Sequence, residues 1–130
     1  MGSEAVPVRA VVAGHGTFAS GIVSAVEQIT GRGGQFATIS NTGLCLEDIQ
    51  QTLTRALDDS GARVIFTDLP AGSCTMAVRR LLRERPGVLL VTGINLSLLL
   101  DFAMSDGDDP VQAVQAALER GRASMVVHGA

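Results

Sequence analysis

Apolar and polar positions follow two alternating rhythms along the chain. Val8–Ala13 is a short apolar run with strand character. Phe18, Ile22, Val26 and Ile29 then recur at helical spacing, which predicts a helix from about Thr17 to Thr30, closed by the glycines of 31–34. The cycle repeats with a strand at Phe36–Ser40 and a helix marked by Leu46, Ile49, Leu53 and Leu57 and ended by Ser60–Gly61. A third strand, Ala62–Thr67, runs into Asp68. The loop that follows leads to Ser73, read as the N-cap of a helix reaching about Arg85. After the Pro86–Gly87 turn, Val88–Thr92 is a fourth strand, and Asn95 reads as the cap of a helix over Leu96–Ser105. A fifth helix starts at Pro110, with Val111, Val114 and Leu118 on its apolar face. Ala123–Val127 fits either a final edge strand or a continued helix.

The order βαβαβαβα calls for an α/β fold, a doubly wound and mainly parallel sheet between two helical layers, joined by right-handed crossovers. With strand order 2-1-3-4, the first and third strands are neighbours where the winding reverses. Their carboxyl-end loops part there and leave a crevice. His15 follows the first strand and Asp68 the third, so the topology brings together two residues far apart in sequence.

Composition narrows the class. The 130 residues fit one domain, 1–130, and 46% of them are hydrophobic, as suits strands covered on both faces. The apolar stretch Val88–Met104 is interrupted by Thr92, Gly93, Asn95, Ser97 and Asp101, so it does not read as a membrane span. The first residues carry no basic flank and no signal-type core, and a cytoplasmic protein is expected. The formal charge is −3, all ten basic residues are arginine and the only aromatics are four phenylalanines, which gives nucleic-acid binding little support. Cys45 and Cys74 have no further Cys or His at metal spacing and read as reduced thiols.

The chemistry centres on Gly14-His15-Gly16. An imidazole between two glycines at a strand end is uncrowded, and backbone N–H groups there can approach an anion. A carboxylate that accepts the Nδ1–H fixes the tautomer and leaves Nε2 as a nucleophile. Asp68 can supply that carboxylate, or it can be a helix-start cap. The start of the first helix, with Gly16 and Thr17, offers N–H donors and a favourable dipole to a phosphate. The Ala71-Gly72-Ser73 turn adds donors, including the Ser73 hydroxyl, which is read first as a cap, a role that can coexist with holding phosphate. His128 reads as a solvated residue, and Cys74 as a buried thiol. Asp106, Asp108 and Asp109 read as a solvated loop with a helix cap rather than a calcium site.

Several chemistries are excluded by what is missing. The chain has no lysine and no G-x-x-x-x-G-K-S/T loop, no G-x-S-x-G elbow, and no G-x-G-x-x-G after its first strand. No cofactor and no metal is expected. A metal-dependent hydrolase fits poorly, because His128 is the only other histidine.

Four motifs, 13–21 (AGHGTFASG), 66–73 (FTDLPAGS), 91–96 (VTGINL) and 108–110 (DDP), together resemble the enzyme IIA domain of the mannose family of the bacterial sugar phosphotransferase system. The likeness spans roughly Val8–Val127, and the phrase Gly14–Gly21 is most similar to the N-acetylgalactosamine/galactosamine branch. The resemblance implies that His15 accepts phosphate from the histidine-containing phosphocarrier protein and passes it to an enzyme IIB partner. Sugar is then phosphorylated as it enters through membrane components IIC and IID. It also implies that Asp68 is the family aspartate, that Ser73 helps hold phosphate, and that the protein is a homodimer exchanging a C-terminal strand. The family loop usually reads Asp-x-x-Gly-Gly-Ser/Thr-Pro. Here Ala71 replaces the first glycine and Cys74 the proline, so Ala71 is strained if that position needs a positive φ. Two other readings compete. One is the phosphotransfer subunit of dihydroxyacetone kinase, which usually lacks the glycine found here as Gly16. The other is a regulatory module sensed through phosphorylation of His15.

Overall fold

A computed structural model describes residues 7–106 and 109–130. Four strands, β1 (Ala10–Gly14), β2 (Phe36–Ser40), β3 (Val64–Thr67) and β4 (Leu89–Val91), form one sheet in the order β2-β1-β3-β4. Every pairing is parallel, with Val11 opposite both Ala37 and Ile65, and Phe66 opposite Val91. The helices are α1 (Phe18–Thr30), α2 (Leu46–Ser60), α3 (Ser73–Leu82), α4 (Leu96–Met104) and α5 (Pro110–Ser124). A short 3₁₀ turn, Gly33–Gln35, leads into β2.

Side chains alternate across the sheet and so build two cores. On one face Ala10, Val12, Phe36, Val64, Phe66 and Val91 pack with α1, α4 and α5 through Val26, Leu98, Leu99, Phe102 and Ala117. Phe66 and Phe102 meet edge-on with centroids 5.1 Å apart, and Phe36 closes the cluster. On the other face Val11, Ala13, Ile39 and Ile65 meet Ile49, Leu53 and Leu57 of α2 and Cys74, Ala77, Val78 and Leu81 of α3. The central strands β1 and β3 are fully buried, which is why they read as unbroken apolar runs.

Three sequence expectations are corrected by the structure. Ser73 does not cap α3: Gly72 occupies the N-cap position with no side-chain cap bond, and Ser73 is the first helical residue. α3 also ends at Leu82 rather than near Arg85. At the other end, α5 continues through Ser124, and Met125–Val127 follow it as exposed chain that joins no strand of this sheet. The segment forms no edge strand among the described residues, and helix α5 takes in Ala123 and Ser124. The caps at Asn95 and Asp109 form as expected, with side chains accepting from the N–H groups of Leu98 and Val111. Asp108, part of the fourth motif and of the acidic group, lies outside the described residues.

Candidate functional site

β1 and β3 are neighbours, and both end at the same edge of the sheet. The residue after β1 is His15, and the residue after β3 is Asp68. One carboxylate oxygen, Asp68 Oδ2, accepts two hydrogen bonds of 2.8 Å, one from the His15 backbone N–H and one from ring atom Nδ1. Ring position is thereby set, and in the neutral ring the tautomer as well: Nδ1 carries the hydrogen, and Nε2 keeps its lone pair. Nε2 has no hydrogen-bond partner among the described residues. The imidazole side chain is 49% exposed and the Asp68 side chain only 10%, so the carboxylate is held in the fold while the ring faces outward. The other carboxylate oxygen, Oδ1, is buried with no hydrogen-bond partner among the described residues. Burial pushes the Asp68 pKa up. The two hydrogen bonds from His15 and the attraction of its ring outweigh this, so the pKa settles below its ordinary value.

The glycines around His15 supply space as much as freedom. A Cβ on Gly14 would stand 2.9 Å from Asp68 Oδ2 and 2.8 Å from the Phe18 ring, so only a bare Cα lets the carboxylate reach the strand end. Gly72 leaves room for the imidazole: a Cβ there would lie 2.9 Å from Cε1. Gly16 takes φ +52°, the left-handed conformation that turns the chain from β1 into α1. The Phe18 N–H closes that turn on the His15 carbonyl at 2.9 Å. Thr17 occupies the N-cap of α1 but makes no side-chain cap bond.

Two helices thus begin beside one imidazole. α1 starts three residues after His15, and the N-cap of α3 touches the ring. The first N–H groups of a helix lack partners within it and carry the positive end of its dipole, which suits an anion. The expected residues His15, Gly16, Thr17, Asp68, Gly72 and Ser73 all lie around this edge of the sheet. Among the described residues, no group of three or more His, Cys, Asp or Glu is placed to hold a metal ion. The arrangement can present an oriented ring nitrogen to a phosphoryl group and surround that group with fixed donors.

The family model for the phosphotransferase system (PTS) fructose IIA component, EIIA-man, matches residues 9–119. The chain belongs to this family. Membership gives it a phosphotransfer role in sugar uptake. Among solved structures, the mannose/sorbose specific IIA subunit of Enterococcus faecalis is 18% identical, with a TM-score of 0.83, over 96% of this chain and 97% of that one. A PTS component EIIA from Streptococcus agalactiae is 23% identical with a TM-score of 0.82, over 92% of this chain and 95% of that one. The PTS IIA protein associated with the fucose utilization operon of Streptococcus pneumoniae is 22% identical with a TM-score of 0.76, over 96% of each chain. At these identities the likeness carries the fold. No curated protein sequence matches the chain.

The structure shows how the loop after Asp68, expected to depart from the family pattern at Ala71 and Cys74, is built. No described residue other than glycine has a positive φ, so Ala71 replaces a glycine without strain. The second glycine of the pair, Gly72, is the one that contacts the ring. Cys74, in place of the usual proline, is fully buried in the α2–α3 core, and burial followed by the Asp68 charge pushes its thiol up to about 11. Cys45 is exposed at the N-cap of α2, and both cysteines are free thiols.

Three contributors to the site went unread in the sequence. Asn41, directly after β2, donates from Nδ2 to Ser73 Oγ at 2.8 Å. Thr67 and Thr75 share a buried hydroxyl contact of 2.6 Å, and Thr75 also donates to the Leu69 carbonyl. This pair clamps the loop that carries Asp68 to the first turn of α3. The available signal was positional: in the order β2-β1-β3-β4, the residue after β2 also lies at the edge that holds His15.

Proposed function

We propose that the whole chain acts as one cytoplasmic IIA domain that carries phosphate on His15. The histidine-containing phosphocarrier protein is the donor and an enzyme IIB protein the acceptor. Nε2 of His15 attacks phosphorus, the new N–P bond forms as the donor's N–P bond breaks, and the released electron pair stays on the donor nitrogen. The Nδ1–H remains on Asp68, whose carboxylate offsets the positive charge the ring gains. Transfer to IIB reverses the step: the N–P bond breaks and the pair returns to Nε2. Ser73 and the N–H groups around Gly16, Thr17 and Gly72 hold the phosphoryl oxygens. Positioning and fixed dipoles supply the rate in such transfers. Sugar is phosphorylated downstream as it enters through IIC and IID. The Gly14–Gly21 phrase supports the N-acetylgalactosamine/galactosamine branch. The unpaired, apolar Met125–Val127 segment supports a homodimer in which that strand is exchanged. No described helix is long and apolar enough to cross a membrane.

The observation that carries this reading is the 2.8 Å bond from His15 Nδ1 to Asp68, which leaves Nε2 unpartnered. A relay of enzyme I, phosphocarrier protein and labelled phosphoenolpyruvate tests it. Acid-labile label is expected on wild type and absent from His15→Ala, and added IIB should remove it. Equal label on both forms, or none on either, overturns the reading. Label that no IIB protein removes supports the regulatory module instead.

A further inference from the structure

We propose that Asn41 is a positioning residue that sets the polarity of the Ser73 hydroxyl, so that Ser73 directs its hydrogen toward the phosphoryl group on His15. The inference deepens the phosphate-carrier reading and rests on it. Asn41 is tied to the site at both ends. Its backbone N–H donates to the Gly14 carbonyl at 3.0 Å, one residue before His15. Its side-chain Nδ2 then reaches the start of α3 and donates to Ser73 Oγ at 2.8 Å.

What sets Ser73 apart is what its hydroxyl does not do. Serines in helices commonly donate back to a carbonyl three or four residues earlier. Five others in this chain behave so: Ser20 donates to Thr17, Ser24 to Gly21, Ser60 to Ala56, Ser105 to Phe102 and Ser124 to Gly121. Ser73 makes no such bond and no cap bond, and its hydrogen has no acceptor among the described residues. A hydroxyl offers one hydrogen and two lone pairs. With one lone pair occupied by the Asn41 amide, the hydrogen is left to donate, and accepting a bond strengthens the next donation. Gly72, the adjacent residue, lies against the imidazole, so this hydroxyl opens the turn that borders the ring.

The residue type matters. A neutral amide donates to Ser73 without adding charge beside an anion. A carboxylate in its place would take the hydrogen instead and repel phosphate. An aliphatic side chain would leave the hydroxyl free to rotate into solvent.

Phosphoramidate, a small phosphoryl donor that needs no partner protein, provides the test, with His15 phosphorylation followed by ³¹P NMR. Wild type, Asn41→Leu, Asn41→Asp, Ser73→Ala and the Asn41→Leu/Ser73→Ala double variant are compared, each checked for folding by its urea midpoint. Asn41→Leu should slow phosphorylation roughly tenfold, the loss of one hydrogen bond. Asn41→Asp should slow it further at neutral pH and recover relative to wild type as the introduced carboxyl is protonated. Asn41→Leu should cost nothing more once Ser73 is alanine, because the two act as one unit. Wild-type rates in Asn41→Leu, or effects that multiply in the double variant, overturn the proposal. A relay that fails with the phosphocarrier while phosphoramidate still labels His15 counts against the partner and not against Asn41. Wild type that phosphoramidate leaves unlabelled overturns both.

Discussion

Both ends of the same sheet carry polar networks, and they are built to opposite rules. At the amino end, Arg9 precedes β1 and its guanidinium donates to Gln35 Oε1, the Phe102 carbonyl and Ser105 Oγ at 2.7, 3.2 and 2.9 Å. It also stacks 4.5 Å from the centre of the Phe102 ring. Gln35 Nε2 and Arg32 both donate to the Ala103 carbonyl, so the last carbonyls of α4 are satisfied by side chains from β1 and β2 loops. The donors there are spent on acceptors within the fold. At the carboxyl end, Asp68 is just as well held, but its network stops at an imidazole with an open nitrogen and a serine with an unclaimed hydrogen. A saturated network fixes elements in place. An unsaturated one on a rigid edge is a site waiting for a ligand.

The largest effect expected from testing this contrast comes from Gly72→Ala. Its φ of −93° and ψ of 174° suit alanine, so the fold and the urea midpoint should hold nearly unchanged. The added methyl would sit 2.9 Å from His15 Cε1, and the ring must swing away. Displacing a reacting atom by about 1 Å costs on the order of 10²-fold in rate. The relay rate should fall by that order, whereas Ala71→Gly, one residue earlier and clear of any positive φ, should change it less than about twofold. Equal rates for the two variants would mean that Gly72 does not shape the imidazole's position.

The same contrast explains what could be read in advance. The pairing of His15 with Asp68 was legible because it follows from topology: two residues at the ends of adjacent central strands must meet whatever the loops do. Ser73 was misread because capping preference is a local tendency, and here a side chain from the far side of β1 claims the hydroxyl first. Nothing within its own segment marks Asn41; its meaning lies in the spatial order of strands. Arg9 was silent for a similar reason, since two of its three acceptors lie at the end of a helix more than ninety residues on. The Met125–Val127 run has strand-forming valines, but propensity acts only where a sheet edge lies alongside, and among the described residues this segment pairs with neither outer strand, β2 or β4.

At the amino end the expected order of effects reverses. Arg9→Met removes three donors and a cation–π contact while leaving Gln35, the Phe102 carbonyl and Ser105 without that partner. A loss of about 2–3 kcal/mol in unfolding free energy is expected, read from urea denaturation. The relay rate of the folded variant should stay within about twofold of wild type, because no atom near His15 moves. A slowed relay with unchanged stability would erase the distinction between the two networks.

The smallest effect tests how firmly the fold holds Asp68. Its folded pKa lies below the unfolded value near 3.9. A carboxylate depressed in this way binds fewer protons folded than unfolded just below that value. Its stabilising contribution is therefore complete above the unfolded pKa and is lost as pH falls through the folded one. Asp68→Asn keeps the shape and removes the titration. Wild type should be the more stable form at pH 5 to 7, and the gap should close as pH drops below about 4, measured as the difference between urea midpoints. A gap that stays constant across that range would mean the two bonds from His15 do not favour the ionised carboxylate. The acid would then serve as a neutral-shaped support, and the open imidazole would lose the charge that steadies it.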